Sequence, residues 1–165
     1  MVPQQVTLFS GTIRENLLLA DPNANDEKLK EALSEAGLGS FLKMLPKGLD
    51  SDVGNAGAAL SGGQRQKMGI ARALLSEAQY MIFDEATSSV DPQSEREIWE
   101  TIGRLSKTRT LIIISHRMST IQNANCIYVL EKGVVAQRGS HAELMQQGGL
   151  YRELVTRQQA MEVAE

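Results

Sequence analysis

Two short apolar runs constrain the fold of this 165-residue chain more than any other feature of its sequence. Tyr80–Phe83 is followed directly by acids, and Thr110–Ile114 is too short for a helix and rich in β-branched residues. Both are predicted to be strands, the second of them buried on both faces. Asp91-Pro92 begins a helical pattern between them. Strand, helix and strand in this order predict an α/β fold with a parallel sheet.

The first half of the chain is predicted to be mainly helical. Capping signals and turn residues predict three short helices: one opened by Thr12 and Glu15, one between Asn25 or Asp26 and Gly37, and one over Ser40–Leu45. Irregular chain is expected from Leu49 to Leu60, and a longer helix from about Gly62 to Leu75.

A hairpin and two helices are predicted after the second strand. The hairpin joins Cys126–Leu130 to Val134–Gln137 through a turn that contains Gly133. Ser140 and Glu143 have the spacing of a capping box, which opens one helix. A last helix near Leu150–Arg157 is expected to fade into a polar tail.

Composition excludes several classes of protein. The net charge is −3 and no basic block is present, so we expect no nucleic-acid partner. The single Cys126 cannot form an internal disulfide. No apolar run approaches the roughly 18 residues that a membrane-spanning helix needs.

The segment Leu60–Gln64, with two glycines after a serine, is the strongest functional signal. A serine hydroxyl and successive glycine N–H groups at a helix N-terminus can bind phosphate oxygens, and a Cβ would keep the phosphate away from the backbone. The same residues also fit a plain N-cap followed by a turn. Taken alone, the segment leaves both interpretations open.

Acids and a histidine follow the two predicted strands. At a strand end, Asp84 can hold Mg²⁺ and its neighbour Glu85 can polarise a water for attack on a phosphoryl group. The alternative interpretation is that the two acids are simply solvated at the end of a strand and that His116 is structural. For an Asp-Glu pair considered alone, this alternative is the better one. Because His116 follows the neighbouring strand, the three residues make a joint site plausible.

In order and spacing, these segments resemble the motifs of the ABC transporter nucleotide-binding domain, in the branch of the exporters. The matching segments are Leu60–Gln64 (signature), Tyr80–Glu85 (Walker B), Ser88–Asp91 (D-loop), Ser115–Arg117 (switch histidine), and Val2–Gln4 with Thr12–Asn16 (Q-loop and helical subdomain). The resemblance implies a partial RecA-like P-loop ATPase core preceded by the ABC α-helical subdomain. It divides residues 1–154 into a helical subdomain at about 10–75 and a catalytic-core part at 76–154, with a polar tail over 155–165.

The resemblance also implies roles for individual residues. Gln4 would contact Mg²⁺ or the attacking water, Asp84 would support Mg²⁺, Glu85 would be the general base, and His116 would contact the γ-phosphate of ATP. The residues that touch ATP held by a second ATPase domain, identical or different, would be those of the signature loop: Ser61, Gly62, Gly63 and Gln64. Asp91 would link the two composite sites across that dimer.

One family motif, the Walker A loop Gly-x-x-x-x-Gly-Lys-Ser/Thr, does not occur in the sequence. We expect it to lie upstream, and expect the 165-residue polypeptide alone to hydrolyse ATP no faster than background. The function implied is the ATPase motor of an exporter, held at the cytoplasmic face of the membrane by a transmembrane domain. The alternative is a non-catalytic module or fragment that offers its signature loop to a partner ATPase.

Overall fold

The two apolar runs form a parallel pair of strands in the computed structural model, which describes residues 1–88 and 90–162 (without the side chains of 119, 161 and 162). The strands are β1 (Tyr80–Asp84) and β2 (Thr110–Ile114), with Asp84 level with Ile114. On the other side of β1, Val2 forms a parallel bridge with Phe83. The Val2 N–H donates to the Ile82 carbonyl at 2.7 Å, and the Asp84 N–H donates to the Val2 carbonyl at 3.0 Å. The predicted α/β fold is confirmed.

Eight helices account for about half of the rest of the described chain. They are α1 (Ile13–Leu18), α2 (Asp26–Glu35), α3 (Gly39–Met44), α4 (Gly62–Leu75), α5 (Pro92–Leu105), α6 (Met118–Ile121), α7 (His141–Gln147) and α8 (Leu150–Glu162). The short helix α6 was not predicted. In the segment predicted to be irregular, the structure has two single 3₁₀ turns, Gly48–Asp50 and Asn55–Gly57. No helix among the described residues is long and apolar enough to cross a bilayer.

Side-chain caps start α1, α2, α4, α5 and α7 at residues that the sequence indicates. The Thr12, Ser61 and Ser140 hydroxyls each accept the N–H three residues on, and the Glu or Gln there accepts the cap residue's own N–H. In α2 the cap is Asn25, whose side chain accepts the Lys28 N–H at 2.9 Å. Such caps satisfy backbone donors that have no partner inside the helix.

The core of the first compact unit, Met1–Ile114, is built around α4. Ten of the fourteen residues of this helix are buried, and α1, α2 and α5 all pack against it. One polar contact joins α4 to α5, where the buried Lys67 ammonium forms an ion pair with Glu97. This pairing holds the pKa of the Glu97 carboxyl below its usual range.

The prediction that β2 is buried on both faces is wrong. Met81 and Phe83 of β1 are buried, and Leu111 and Ile113 pack against the same core. On the opposite face, Ile112 is 49% and Ile114 50% exposed. A β-branched run indicates a strand, but whether each face is covered depends on what packs there, and the run does not carry that information.

The second compact unit, Ser115–Glu165, contains a β-hairpin and the helices α6, α7 and α8. Strands β3 (Ile127–Glu131) and β4 (Val134–Gly139) pair antiparallel, and both residues of their turn, Lys132 and Gly133, have positive φ. The last helix, predicted near Leu150–Arg157, extends to Glu162, and Val155, the first residue of the expected polar tail, is buried in the core of the unit. Residues 163–165 lie outside the described part of the chain.

The exposed isoleucines of β2 predict self-association of the 165-residue chain. In the described residues β2 pairs only with β1, so its other edge offers unpaired backbone groups beside apolar side chains. We expect the double variant Ile112→Thr/Ile114→Thr to raise the apparent dissociation constant about tenfold or more, a loss of about 1.4 kcal/mol. Light scattering over a concentration series measures this. The control Leu19→Thr removes a somewhat more exposed apolar side chain (59%) elsewhere, and a monomeric wild-type chain would contradict the prediction.

Candidate functional site

The signature segment forms the capped start of α4. The Ser61 Oγ accepts the Gln64 N–H at 3.2 Å, and the Gln64 Oε1 accepts the Ser61 N–H at 2.9 Å. These two bonds form a capping box, as the plain N-cap interpretation expects. The backbone N–H groups of Gly62 and Gly63, in the first turn, take no part in this box. Because Ser61 is exposed, the positive end of a 14-residue helix is presented at the surface. The cap and a phosphate site are therefore compatible with each other.

An arginine that the sequence did not single out holds the chain just before the cap. The Arg65 guanidinium donates to the Leu60 carbonyl at 2.6 Å and to the Gly57 carbonyl at 3.4 Å. Leu60 itself is buried in the core. The segment is thus fixed on both sides of Ser61.

Gly63 is required by packing inside the chain as well as by its position at the helix start. A Cβ on this buried residue would lie under 3.0 Å from both Oγ and Cβ of Ser94, closer than real Cβ atoms approach. Ser94 belongs to the first turn of α5, so the signature turn rests directly on the start of the next helix. Because Gly63 and Ser94 lie 31 positions apart in the sequence (94 − 63), no local pattern could reveal this contact.

Asp91 is the N-cap of α5. Its Oδ1 accepts the Ser94 N–H at 2.9 Å. The hydroxyl and the backbone N–H of Ser94 hold the pKa of this exposed carboxyl below its usual range. In the same helix, the Glu95 carboxylate accepts hydrogen bonds from the Thr87 hydroxyl at 3.3 Å and from the Trp99 indole at 3.4 Å. The bond from Thr87 connects the segment that follows Glu85 to α5.

Asp84 and Glu85 stand at the carboxyl end of β1, with neighbours on both sides. The Asp84 N–H bonds to Val2, and the Glu85 N–H donates to the Ile114 carbonyl of β2 at 2.9 Å. Glu85 has φ +47°, a left-handed conformation that is strained for a residue with a side chain. Ser88 stabilises it, since its N–H and its Oγ both donate to the Glu85 carbonyl, at 3.1 and 3.0 Å. Strain of this kind concentrates at functional sites.

Gln4 lies at the same edge of the sheet as the two acids. Val2 runs parallel to β1 beside Phe83, so Gln4, two residues further on, follows the carboxyl end of that short strand. Its side chain is exposed. The structure therefore brings Gln4, Asp84 and Glu85 to one edge, while Ser61, Gly63 and Asp91 group where α4 and α5 begin.

His116 follows the last residue of β2 by two positions and belongs to the second unit. It is exposed, in a bend where the Arg117 N–H donates to the Ser115 Oγ at 3.0 Å. The next residue is anchored to α8, because the Met118 N–H donates to the Gln158 side chain at 3.0 Å. The role of His116 stays a prediction.

Acidic residues at the carboxyl edge of a parallel pair, in a unit that also has a capped, glycine-rich helix start, define an α/β protein with a ligand site at the edge of its sheet. Comparison with known proteins identifies the family. A family model described as "ABC transporter" matches residues 1–88, which is 88 of the 165 residues. The chain belongs to the ABC transporter family.

Named relatives lie on the exporter side of that family. Leptomycin B resistance protein pmd1 of Schizosaccharomyces pombe is 43% identical over 96% of the chain, which spans 12% of that protein. The ATP-dependent lipid A-core flippase of Chromobacterium violaceum is 47% identical over 93% of the chain, or 26% of its own length. A bacterial Atm1-family ABC exporter solved with ATP bound has a TM-score of 0.86 and 39% identity over 95% of the chain and 27% of its own. The chain thus spans about a quarter or less of each.

The contact of Gly63 with Ser94 predicts a double-mutant cycle. Gly63→Ala should lower the free energy of unfolding by about 1–3 kcal/mol, because the added methyl overpacks against Ser94. In a Ser94→Gly background the same change should cost much less, since both clashing atoms are gone. Chemical denaturation of the four proteins measures the coupling. Equal costs in both backgrounds would contradict the packing role of Gly63.

Proposed function

We propose that this chain is the signature and Walker B part of the ATPase that drives an ABC exporter. The observation that carries the proposal is the backbone of Glu85, strained and held by β2 and Ser88 at the sheet edge that also presents Asp84 and Gln4. A strand can end without a strained residue, so the strain at Glu85 has no purely structural reason at this place. A general base, by contrast, must be held at a fixed position. The helical subdomain at about 10–75 and the catalytic part at 76–154 are the proposed division.

Glu85 is the proposed general base. A carboxylate accepts the proton of a water that attacks the terminal phosphoryl group, and the bond to the leaving oxygen breaks as the new bond to phosphorus forms. Ser88 donates two hydrogen bonds to the Glu85 carbonyl, and the Glu85 N–H donates one to the Ile114 carbonyl. These bonds fix the backbone of Glu85 and so limit where its carboxylate can lie. The proposed part of His116 is to donate to the γ-phosphate.

Asp84 and Gln4 are the residues that would hold magnesium. Their carboxylate and amide oxygens are the hard donors that Mg²⁺ takes, and both stand at one edge of the sheet. Among the described residues no three His, Cys, Asp or Glu side chains are grouped as a metal site. That fits a cation bound by one or two protein oxygens together with phosphates. When bound, magnesium neutralises charge on the phosphate oxygens.

The signature loop is proposed to act on a nucleotide held by a second ATPase domain. The Ser61 hydroxyl and the first-turn amides of α4 can donate to phosphate oxygens, and the helix dipole favours negative charge there. Gln64, which fixes the Ser61 amide, keeps the loop in shape. Asp91, exposed at the start of α5, is proposed to meet the facing domain.

The proposed second partner is a transmembrane domain, which holds the chain at the cytoplasmic face of the membrane. The relatives named as a flippase and as an ABC exporter support this. The helical part of the chain also offers exposed apolar side chains to a partner, at 61%, 59% and 74% exposure: Phe9, Leu19 and Met44. Contact with a transmembrane domain would remove this apolar surface from water.

The test is Glu85→Gln in a chimeric domain that joins this chain to the Walker A segment of the Chromobacterium violaceum flippase. Turnover should fall about 10²–10⁴-fold, because the amide keeps the shape but accepts no proton. ATP affinity by titration should be retained. The matched control Glu100→Gln changes an exposed acid of α5 and should keep full turnover. A Glu85→Gln protein that hydrolyses ATP at the control rate would refute the role of Glu85.

A further inference from the structure

One face of α4 binds the segment that contains Gln4. Gln66, Gly69 and Arg72 follow each other at a spacing of three residues, which places them in one row along the helix. Each of them contacts a different residue of the segment Pro3–Phe9. We call this row the α4 seam.

Gln66 forms the first contact of the α4 seam. Its side chain is buried, at 4% exposure, and its Nε2 donates to the Pro3 carbonyl at 2.9 Å. This carbonyl belongs to the peptide bond that enters Gln4. Gln66 therefore fixes the orientation of the backbone directly before the exposed Gln4 side chain.

Gly69 forms the second contact. A Cβ at this position would lie 2.5 Å from Cγ2 of Val6, so the absence of a side chain lets the segment lie against the helix. A glycine in the middle of a helix is otherwise unfavourable. The close approach of Val6 is the physical reason for it here.

Arg72 forms the third contact and reaches furthest. Its Nη1 donates to the Thr7 carbonyl at 2.7 Å, and its Nε and Nη2 donate to the carbonyl and the Oδ1 of Asn16 at 2.8 and 2.7 Å. The buried Asn16 side chain in turn bonds to both the N–H and the carbonyl of Phe9, at 2.9 and 2.8 Å. Partial burial lowers the pKa of the guanidinium. An oriented cation thus clamps the segment onto α1 and α4.

Gln4 stands where the chain passes from the sheet to the α4 seam. Val2 is bonded to β1, whereas Pro3, Val6 and Thr7 are held by α4. Because the α4 side chain of Gln66 binds the carbonyl of Pro3, the residue directly before Gln4, a change in the orientation of α4 would also move the backbone at Gln4. Contacts made by polar, directional groups fix an orientation more sharply than apolar packing does.

We propose that Gln66 and Arg72 are positioning residues that make Gln4 move together with the signature helix. This inference rests on the proposed function, in which Gln4 acts at the nucleotide and Ser61 begins the same helix. Neither residue is assigned a contact with ATP. The α4 seam couples the sheet edge that carries Glu85 to the loop that faces the second domain.

The first experiment measures the coupling itself in the full 165-residue chain, without ATP. Spin labels are placed at Gln5→Cys and Ser76→Cys, both exposed, in a Cys126→Ser background. The labelled protein is diluted with unlabelled protein. Gln66→Glu keeps the side chain's shape but removes its donor, and Arg72→Lys keeps the charge but loses the planar fork. Both should broaden the distance distribution measured by pulsed EPR, whereas the control Arg104→Lys in α5 should leave it narrow.

The second experiment measures ATP turnover of the same variants in the chimeric domain. We expect kcat to fall about 10–100-fold with KM for ATP unchanged, since misplacement of a positioned group affects the reaction more than binding. A variant that merely unfolds would lose circular dichroism and EPR order together, so helix content is checked first. Should Gln66→Glu misfold, Arg72→Lys carries the test.

Two results would overturn the proposal. A distance distribution as narrow in both variants as in Arg104→Lys would show that the α4 seam does not hold the segment. A broadened distribution with unchanged kcat would show that the segment is held but that Gln4 is not positioned by it. A wild-type chimeric domain without turnover would count against the proposed function, while the EPR result would still decide whether the coupling exists.

Discussion

Helix α4 buries ten of its fourteen residues, and the arrangement of the first unit depends on that burial. Its apolar side chains pack in the core with α1, α2 and α5, and several of its polar side chains bind specific partners in other segments. Lys67 pairs with Glu97 of α5, and Arg72 binds Asn16 of α1. A helix fixed on so many sides can present its N-terminus, with Ser61, at a defined place. Binding a phosphate there would need no rearrangement of the helix.

The parallel pairing around β1 is the second constraint, because it collects residues from three distant parts of the chain at one edge. Val2 and β2 flank β1, and the amides of Asp84 and Glu85 each bond to one of them. The left-handed backbone of Glu85 costs about 1–3 kcal/mol. Hydrogen bonds with Ile114 of β2 and with Ser88 offset that cost. The proposed base is therefore fixed by a contact with a distant strand together with a local turn.

Local physics explains which parts of the structure could be predicted. The capping boxes at Thr12, Ser61 and Ser140 depend on residues three apart, so their spacing in the sequence is sufficient. The parallel pair followed from a strand, a helix and a strand in order. The acids after β1 were found because strand ends are where such sheets carry their sites.

Contacts between distant residues explain what could not be predicted. Gly63 was interpreted through phosphate approach or a turn before the helix, and its contact with Ser94, which also requires a glycine there, could not be predicted because Ser94 is far away in the sequence. The partners of Gln66 lie 63 positions away, and those of Arg72 at least 56. The exposure of Ile112 and the burial of Val155 were missed for the same reason, because what covers a residue is set by tertiary packing.

In the proposed function, the start of α4 serves a nucleotide held by another domain. The most direct measurement compares ATP-dependent dimer formation with ATP affinity at low protein concentration, in the chimeric domain carrying Glu85→Gln. Adding Ser61→Arg places a bulky cation where phosphate would approach and opposes the helix dipole, whereas the control Ser76→Arg places it at the favourable end of the same helix. We expect Ser61→Arg to abolish the dimer and to leave monomeric ATP affinity intact, and Ser76→Arg to change neither. A Ser61→Arg protein that loses monomeric ATP affinity yet still dimerises would contradict this role of the α4 start.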